Sequence, residues 1–344
     1  MKYVTGLVVG KFCPLHKGHL MLLNAAKAAC ENLIVISYTS SNFPGCGASQ
    51  REAWLKEWAC ADNITIVVID PGKEHIPDDN APELVHRHFC ADIIFKRLGK
   101  TVQAVFTSED YGDGFAEYLT SYFNLMLPSG VRHDVAHVCV DKKREKYPTS
   151  GTLIRAQLEN SVSDVKHISK FVLQSFVPKI AILGGESSGK TTLASALARN
   201  LNCSWVEEFG RYWYAKRQGK LMFEDMEFIA TRQIANENEW TVKFGNFVVC
   251  DTTALTTLFY SIQLFGDASS QLYQIALNTI RSYKHVFICA SDIPFEQDGT
   301  RVDAEFRDKA FNFYVHHLTA HKIPFTVLTG SVTDRIAQAK RVII

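Results

Sequence analysis

Short runs of β-branched and other apolar residues recur along the whole chain, and longer stretches of mixed polarity separate them. The longer stretches carry apolar residues at helical spacing, as at Leu20, Leu23, Ala26 and Cys30. The runs are too short for helices and predict strands at residues 4–9, 33–37, 64–69, 103–107, 137–140, 179–183, 247–250, 285–289 and 324–328. Strands that alternate with helices favour parallel sheets with helices on both faces.

The predicted strands form two successive series, and a glycine directly follows the opening strand of each. Gly10 follows the first strand, and Gly184 and Gly185 follow the strand at 179–183. A chain of 344 residues suffices for two domains of about 100–200 residues each. We therefore expect an α/β fold with two doubly wound parallel-sheet domains in series, residues 1–176 and 177–344, joined within residues 156–178.

Composition excludes several classes of protein. The chain has 37 basic and 36 acidic residues, a net charge of +1, and neither half is a basic arm of the kind that binds nucleic acids. Its nine cysteines form no CxxC pair and are expected to be small core residues in a reducing compartment. No run is apolar enough for a signal peptide or a membrane span, so we expect a cytoplasmic protein. The sequence leaves open whether the chain forms a homo-oligomer.

The segment GGESSGKT, which starts at Gly184, fits the phosphate-binding pattern GxxxxGK followed by Ser or Thr. It lies between a predicted strand and a helical run, where backbone N–H groups and a helix N-terminus face phosphate oxygens. Lys190 is expected to bridge the β- and γ-phosphates, and Thr191 to offer a hydroxyl to Mg²⁺. The candidate nucleotide-binding residues are Gly184, Gly185, Glu186, Ser187, Ser188, Gly189, Lys190, Thr191 and Thr192.

Acidic and basic residues later in this half bear on whether the γ-phosphate is transferred to water or to a substrate. Asp251 ends a predicted buried strand, where it can hold Mg²⁺ or an acceptor, or cap the next helix. Glu208, expected at the end of a neighbouring strand, can deprotonate an acceptor hydroxyl or be a surface charge. Arg211 is a candidate nucleotide ligand. Arg301 and Arg307 suit a lid over the phosphates or an exposed pair on a solvated helix.

The first half carries GKFCPLHKGH directly after its opening strand. His16 and His19 lie around Gly18 at a predicted helix start, so two N–H donors would stand beside a positive helix end. This arrangement suits the α-phosphate of a nucleotide, which gains negative charge in the transition state. Half of a zinc site is the alternative, but no third ligand at fixed spacing supports it. The candidate residues here are Gly10, Lys11, Phe12, His16, Gly18 and His19.

A second turn, PTSGTLIR, enters a helix near the end of this half. Ser150 and Thr152 can cap the helix or bind phosphate, and Arg155 can reach the β- and γ-phosphates. A plain N-cap explains the serine and threonine equally well, and only their pairing with the two histidines favours a site. The charged run at 142–146 is interpreted as a solvated face.

With these motifs in hand, the chain resembles the bifunctional nicotinamide-nucleotide adenylyltransferase/ribosylnicotinamide kinase family, NadR. GKFCPLHKGH and SGTLIR match the adenylyltransferase half, and ILGGESSGKTTL, EEFGR, CDTTALTT and DGTR match the kinase half. The resemblance covers nearly the whole chain. It departs where WVEEF stands in place of the WEY that the family usually has, which leaves open whether Glu207 or Glu208 acts.

The resemblance implies a nucleotidyltransferase-type Rossmann-like domain followed by a P-loop kinase domain. In the kinase, the 5′-hydroxyl of ribosylnicotinamide would attack the γ-phosphate of ATP and give nicotinamide mononucleotide. Lys190 would assist, together with Mg²⁺ on Thr191 and an acid at Glu208 or Asp251. We assign the role of base to Glu208 and ribose binding to Asp251.

In the other domain, the phosphate of the mononucleotide would attack the α-phosphate of a second ATP and release pyrophosphate and NAD. His16, His19, Lys11 and Arg155 would stabilise this step. Some family members begin with a helix-turn-helix domain that this sequence does not show, so repressor activity is not expected. The alternatives are a fused enzyme acting on riboflavin or pantetheine compounds, a slow nucleotide-sensing regulator, and a nucleic-acid-binding repressor.

Overall fold

The computed structural model describes residues 3–60, 63–109, 111–240, 246–299 and 301–343. Thr300, within the DGTR segment, lies outside these ranges. The chain divides into two compact units, Met1–Phe176 and Val177–Ile344. Each unit holds a five-stranded parallel sheet with helices packed against it, so the predicted α/β fold with two doubly wound sheets is confirmed.

The sheet of the first unit has the strand order β3-β2-β1-β4-β5. Its strands pair in parallel and are β1 (Tyr3–Gly10), β2 (Cys30–Ser37), β3 (Ile64–Val68), β4 (Ala104–Thr107) and β5 (Ala136–Cys139). The chain runs outward from β1 to β3 and then returns to β4 on the other side of β1. This reversal leaves a crevice beyond the carboxyl ends of β1 and β4, where open α/β sheets bind ligands.

Helices cover both faces of this sheet. Successive residues of β1 face opposite sides, so Leu7 is buried in one core and Val8 in the other. The helices are α1 (Lys17–Ala29), α2 (Ala48–Ala59), α3 (Glu83–Asp92, continued by a π-helix at Ile93–Arg97), α4 (Gly112–Met126), α5 (Gly151–Asn160) and α6 (Lys170–Leu173).

The predicted joining segment is largely part of the first unit. Ile168 and Val172 are buried in the core beneath α1. The backbone N–H of Lys17 donates to the carbonyl of His167 at 2.8 Å, so this segment also holds the start of α1. Its amphipathic pattern therefore reflects burial against the first sheet.

The second unit has the strand order β10-β9-β6-β8-β7, with parallel pairing throughout. The strands are β6 (Lys179–Leu183), β7 (Ser204–Val206), β8 (Val248–Asp251), β9 (His285–Cys289) and β10 (Phe325–Leu328). The helices are α7 (Lys190–Leu201), α8 (Phe209–Lys216), α9 (Asp225–Trp240), α10 (Ala254–Phe265), α11 (Ser270–Ile280), α12 (Ala304–Ala320) and α13 (Val332–Ile343). Among the described residues, none of the helices combines the length and the apolar character that a membrane span requires.

All nine cysteines lie in the described part of the chain and are free thiols. Seven are buried as small core residues, as the sequence predicts. Cys60 and Cys139 are exposed, which corrects that prediction for these two positions. Cys60 follows the last turn of α2 in a left-handed conformation (φ 40°), and Cys139 ends the edge strand β5.

Candidate functional site

His16 caps helix α1 in the first unit. Its Nδ1 accepts a hydrogen bond from the backbone N–H of His19 at 3.3 Å, and the helix begins at Lys17, close to the start predicted around Gly18. Because Nδ1 accepts, the proton of the neutral ring lies on Nε2. The two imidazoles stack with their centroids 3.7 Å apart. A Cβ at Gly18 would lie 3.1 Å from the His16 ring, a tight contact to which the ring would have to adjust.

Both histidines are held in the neutral form. Burial, reinforced by the charge of Arg144, lowers the pKa of His16 to about 4. Burial also lowers the pKa of His19 well below its ordinary value, and the neighbouring His16 adds to this effect. The imidazoles can therefore donate hydrogen bonds to a phosphate, while the positive charge must come from lysine and arginine side chains.

Arg155 is held in place by its own loop and by the histidine motif. One guanidinium nitrogen donates to the carbonyl of Cys13 at 2.5 Å, and another donates to Thr152 Oγ1 at 3.1 Å. The guanidinium also lies 4.0 Å from the centroid of the Phe43 ring. Ser150 is the N-cap of α5, and its Oγ accepts from the N–H of Leu153 at 3.2 Å. Ser150 is therefore an N-cap, as the alternative interpretation predicts. Its side chain also lines a cavity.

That cavity, called here the histidine cavity, has a volume of about 440 Å³ and lies at the carboxyl end of β1. It brings together every candidate residue of the first half, although two segments about 130 residues apart in the chain supply them. The candidate residues that line it are Gly10, Lys11, Phe12, His16, Gly18, His19, Ser150, Thr152 and Arg155.

Sequence reasoning missed other residues of this cavity. Arg144, assigned to a solvated face, lines it and forms an ion pair with Glu109 at 2.9 Å. Phe43 and Tyr111 line it as well. The only signal for Arg144 was a charged run just before PTSGTLIR, and nothing in the sequence singles out the two aromatic residues.

A second cavity of about 320 Å³, called here the neighbouring cavity, adjoins the histidine cavity. The two share Gly10, Lys11 and Tyr111 among their walls. Asp79 and Tyr38 belong to the neighbouring cavity. The Lys11 ammonium lies 2.9 Å from Asp79 Oδ2. The first unit therefore offers two adjoining spaces with a lysine at their boundary.

In the second unit, the loop after β6 turns tightly into α7. Gly189 adopts a positive φ of 79° directly before α7, so Lys190 is the first residue of that helix. A Cβ at Gly185 would lie 2.3 Å from the carbonyl oxygen of Arg307, so this position requires glycine. The Lys190 ammonium donates to the Gly185 carbonyl at 2.8 Å. Ser188 Oγ donates to the same carbonyl at 2.7 Å.

A cavity of about 190 Å³ lies beside this loop and is called here the loop cavity. Its apolar wall includes aromatic rings that sequence reasoning did not identify, at Tyr214, Tyr260 and Phe306. Tyr260 donates to the Glu186 carboxylate at 2.9 Å. The candidate residues that line the cavity are Glu186, Ser187, Lys190, Glu208, Arg211 and Arg301, whereas Gly184, Gly185, Ser188, Gly189, Thr191, Thr192 and Asp251 do not.

The structure distinguishes the three candidate acids. Glu208 precedes α8 without capping it and lines the loop cavity with its side chain 18% exposed. Burial raises its pKa, and the charge of Lys190 opposes the rise. Glu207 is exposed. Asp251 is 1% exposed and is not among the residues that line the loop cavity, and the ribose-binding role assigned to it stays a prediction.

The surroundings of Asp251 fit a magnesium site. Its Oδ1 is buried and has no hydrogen-bond partner among the described residues, while the Thr191 hydroxyl bonds to the same carboxyl group. Within the described ranges, no group of three or more His, Cys, Asp or Glu could enclose a metal by itself. Mg²⁺ commonly binds one or two protein oxygens and completes its shell with phosphates and water. Thr191 and Asp251 suit that pattern.

The arginine pair does not behave as a unit. Arg301 lines the loop cavity, and its side chain pairs with Asp298 at 3.1 Å. Arg307 is only 8% exposed and donates to the carbonyl of Ile293 at 2.9 Å. Because the Arg307 guanidinium is buried in α12 and supports the loop after β9, the expectation of an exposed pair is wrong, whereas the expectation that the two arginines form a lid stays a prediction.

Comparisons with known proteins give relatives for almost the whole chain. The AAA domain family matches residues 179–335. The trifunctional NAD biosynthesis/regulator protein NadR of Salmonella typhimurium is 28% identical over 341 residues, covering 93% of this chain and 77% of the relative. Crystal structures of NadR with NAD and AMP-PNP and of NadR with NR each cover 99% of this chain and 95% of theirs, at 17% identity. Their TM-scores of 0.57 and 0.58 show a shared fold. The sequence match over almost the whole chain, together with this shared fold, makes the chain a homologue of NadR.

Proposed function

We propose that the chain makes NAD from ribosylnicotinamide in two steps. Val177–Ile344 would act as the ribosylnicotinamide kinase, and Met1–Phe176 as the nicotinamide mononucleotide adenylyltransferase. The observation that carries the proposal is that each unit has its own cavity at the carboxyl edge of its own sheet, lined by residues that the sequence predicts to bind phosphate. The name and the bound ligands of the NadR relatives, NAD, AMP-PNP and NR, support it.

For adenylyl transfer, ATP would occupy the histidine cavity and the mononucleotide the neighbouring cavity. The neutral His16 and His19 donate hydrogen bonds to the α-phosphate as it gains charge, and Arg155 binds the departing pyrophosphate. Lys11, at the boundary of the cavities, faces both phosphates. The attacking phosphate is already ionised, so this step needs no general base.

For phosphoryl transfer, Lys190 would leave the Gly185 carbonyl and bind the β- and γ-phosphates. Bound Mg²⁺ would neutralise charge on the phosphates beside Thr191 and Asp251. Glu208 would accept the proton of the ribose 5′-hydroxyl, and Arg211 and Arg301 would contact phosphate oxygens. The aromatic wall of the loop cavity suits the flat pyridine ring of the acceptor.

One incubation tests this proposal directly. The protein with ATP, Mg²⁺ and ribosylnicotinamide should release ADP and nicotinamide mononucleotide first, followed by NAD and pyrophosphate, all separable by chromatography. Phosphorylation of riboflavin or pantetheine in its place would favour a different fused enzyme. Binding of NAD and ATP without steady-state turnover would favour a regulator.

Glu208→Gln should lower the kinase kcat by about 10², the usual contribution of a general base, with little change in KM for the riboside. Only the ionised carboxylate accepts a proton, and burial raises the pKa of Glu208. The wild-type kcat should therefore fall as the pH is lowered, at a higher pH than for an ordinary glutamate. A pH series of kcat for both proteins measures this.

Glu207→Gln is the matched control, because Glu207 is the adjacent acid and is exposed. It should leave the rate and the pH profile unchanged. Full kcat in Glu208→Gln would make the assignment of the base wrong, since phosphoryl transfer of this kind can proceed with little base catalysis.

A further inference from the structure

Asp79 lies in the loop between β3 and α3, where four donors converge on one carboxylate. Thr39 and Ser41 hydroxyls donate to Oδ2 at 2.8 Å and 2.6 Å, and the N–H of Ser40 donates to Oδ1 at 3.0 Å. The Lys11 ammonium is the fourth donor. In return, Ser40 Oγ accepts from the Asp79 N–H at 2.8 Å, and the Asp79 side chain is only 8% exposed. The position and orientation of this carboxylate are therefore fixed by its hydrogen bonds.

The donors also fix the charge of Asp79. Burial alone would raise its pKa, but hydrogen bonds from Ser41, Lys11 and Thr39 outweigh burial and hold the pKa well below the ordinary range. Asp79 thus stays ionised at physiological pH. A permanent negative charge stands beside Lys11.

Lys11 is anchored at its backbone, and its long side chain is half exposed. Its carbonyl accepts from Ser37 Oγ and from Cys13 Sγ, both at 3.2 Å, which anchors the residue just after β1. The side chain is 52% exposed and borders both cavities, whereas Asp79 borders the neighbouring cavity alone. A lysine stem has many rotamers, and a partner is needed to hold its ammonium in one place.

We propose that Asp79 is a positioning residue for adenylyl transfer, holding the Lys11 ammonium at the opening between the histidine cavity and the neighbouring cavity. This inference rests on the function proposed above. There the ammonium faces both the attacking phosphate and the α-phosphate. A charge that is already placed needs no reorganisation during the reaction, so its orientation contributes to kcat.

A double-mutant cycle tests the proposal. Asp79→Asn, Lys11→Ala and the double variant are compared with the wild type for kcat and KM in NAD formation from nicotinamide mononucleotide and ATP. Misplacing Lys11 in Asp79→Asn should lower kcat by about 10–100-fold, and removing it in Lys11→Ala by about 10²–10³. The double variant should be no slower than Lys11→Ala, because Asp79 then has nothing to position.

Asp78→Asn is the matched control, since Asp78 is exposed and caps the N–H of Asn80 at 2.9 Å, outside both cavities. It should behave as the wild type. If Asp79→Asn slows the Lys11→Ala protein by the same factor as it slows the wild type, or mainly raises KM for the mononucleotide, Asp79 acts independently of Lys11 and the proposal fails. Equal thermal unfolding temperatures for all variants would exclude misfolding as the cause of the lower rates.

A spectroscopic measurement separates this inference from the proposed function. A held ammonium exchanges its protons slowly, so Lys11 should give a ¹H–¹⁵N NMR signal that disappears in Asp79→Asn and in Lys11→Ala. If the wild type makes no NAD from the mononucleotide, the proposed function fails. If the signal persists in Asp79→Asn, the inference fails whatever the activity.

Discussion

His19→Ala should reduce NAD formation from nicotinamide mononucleotide by about 10²–10³, the usual cost of losing one donor to a transition-state charge. Burial keeps His19 neutral and its ring stacks on His16, so the mutation removes a donor held in place by packing. The loss should appear in kcat more than in KM for ATP, because the interaction strengthens as charge develops. Initial rates with both substrates varied measure the two parameters.

The kinase activity of the same protein preparation is a control for His19→Ala. Phosphorylation of ribosylnicotinamide should continue at the wild-type rate, because the residues proposed for this step belong to the second unit. His75→Ala, at an exposed histidine of the first unit, should leave both activities unchanged. Adenylyl transfer at the wild-type rate in His19→Ala would show that the histidine cavity is not the site of this reaction.

Local patterns were sufficient to predict the elements that place these sites. The alternation of apolar runs and amphipathic stretches predicted the two parallel sheets, because a strand buried on both faces is apolar throughout. The glycine-rich loop was predictable for a similar reason: Gly185 and Gly189 each meet a requirement of the backbone that no other residue satisfies as well.

Contacts between segments that are distant in the sequence could not be predicted from local patterns. Arg144 and Arg307 are both arginines in polar surroundings in the sequence, yet the first lines a cavity and the second is buried against a loop. Asp251 ends its strand as predicted, but which way its carboxylate faces depends on how α7 packs beside β8. Such outcomes are decided by tertiary packing, which a single sequence does not encode as a local signal.

Lys190→Ala should lower the kinase kcat by about 10²–10³, because the Lys190 ammonium is the positive charge of the loop that stabilises the β- and γ-phosphates. Adenylyl transfer should stay near normal, since the loop belongs to the second unit. Lys220→Ala, at an exposed lysine of the same unit, is the matched control and should retain both activities. Equal loss of both activities in Lys190→Ala would indicate one shared site or misfolding, and a thermal unfolding curve separates those two explanations.

The pH dependence of the residual kinase activity in Lys190→Ala should also differ from that of the wild type. The charge of Lys190 lowers the pKa of Glu208 and of Asp251, opposing the rise that burial causes. Removing that charge should therefore raise both pKa values, so the carboxylates gain protons at higher pH than in the wild type. The pH below which the residual kcat falls should move upward, whereas a variant damaged only in nucleotide binding would keep the wild-type profile. Measuring kcat at saturating ATP across the pH range distinguishes the two, and an unchanged profile would mean that Lys190 does not act on the carboxylates that perform the reaction.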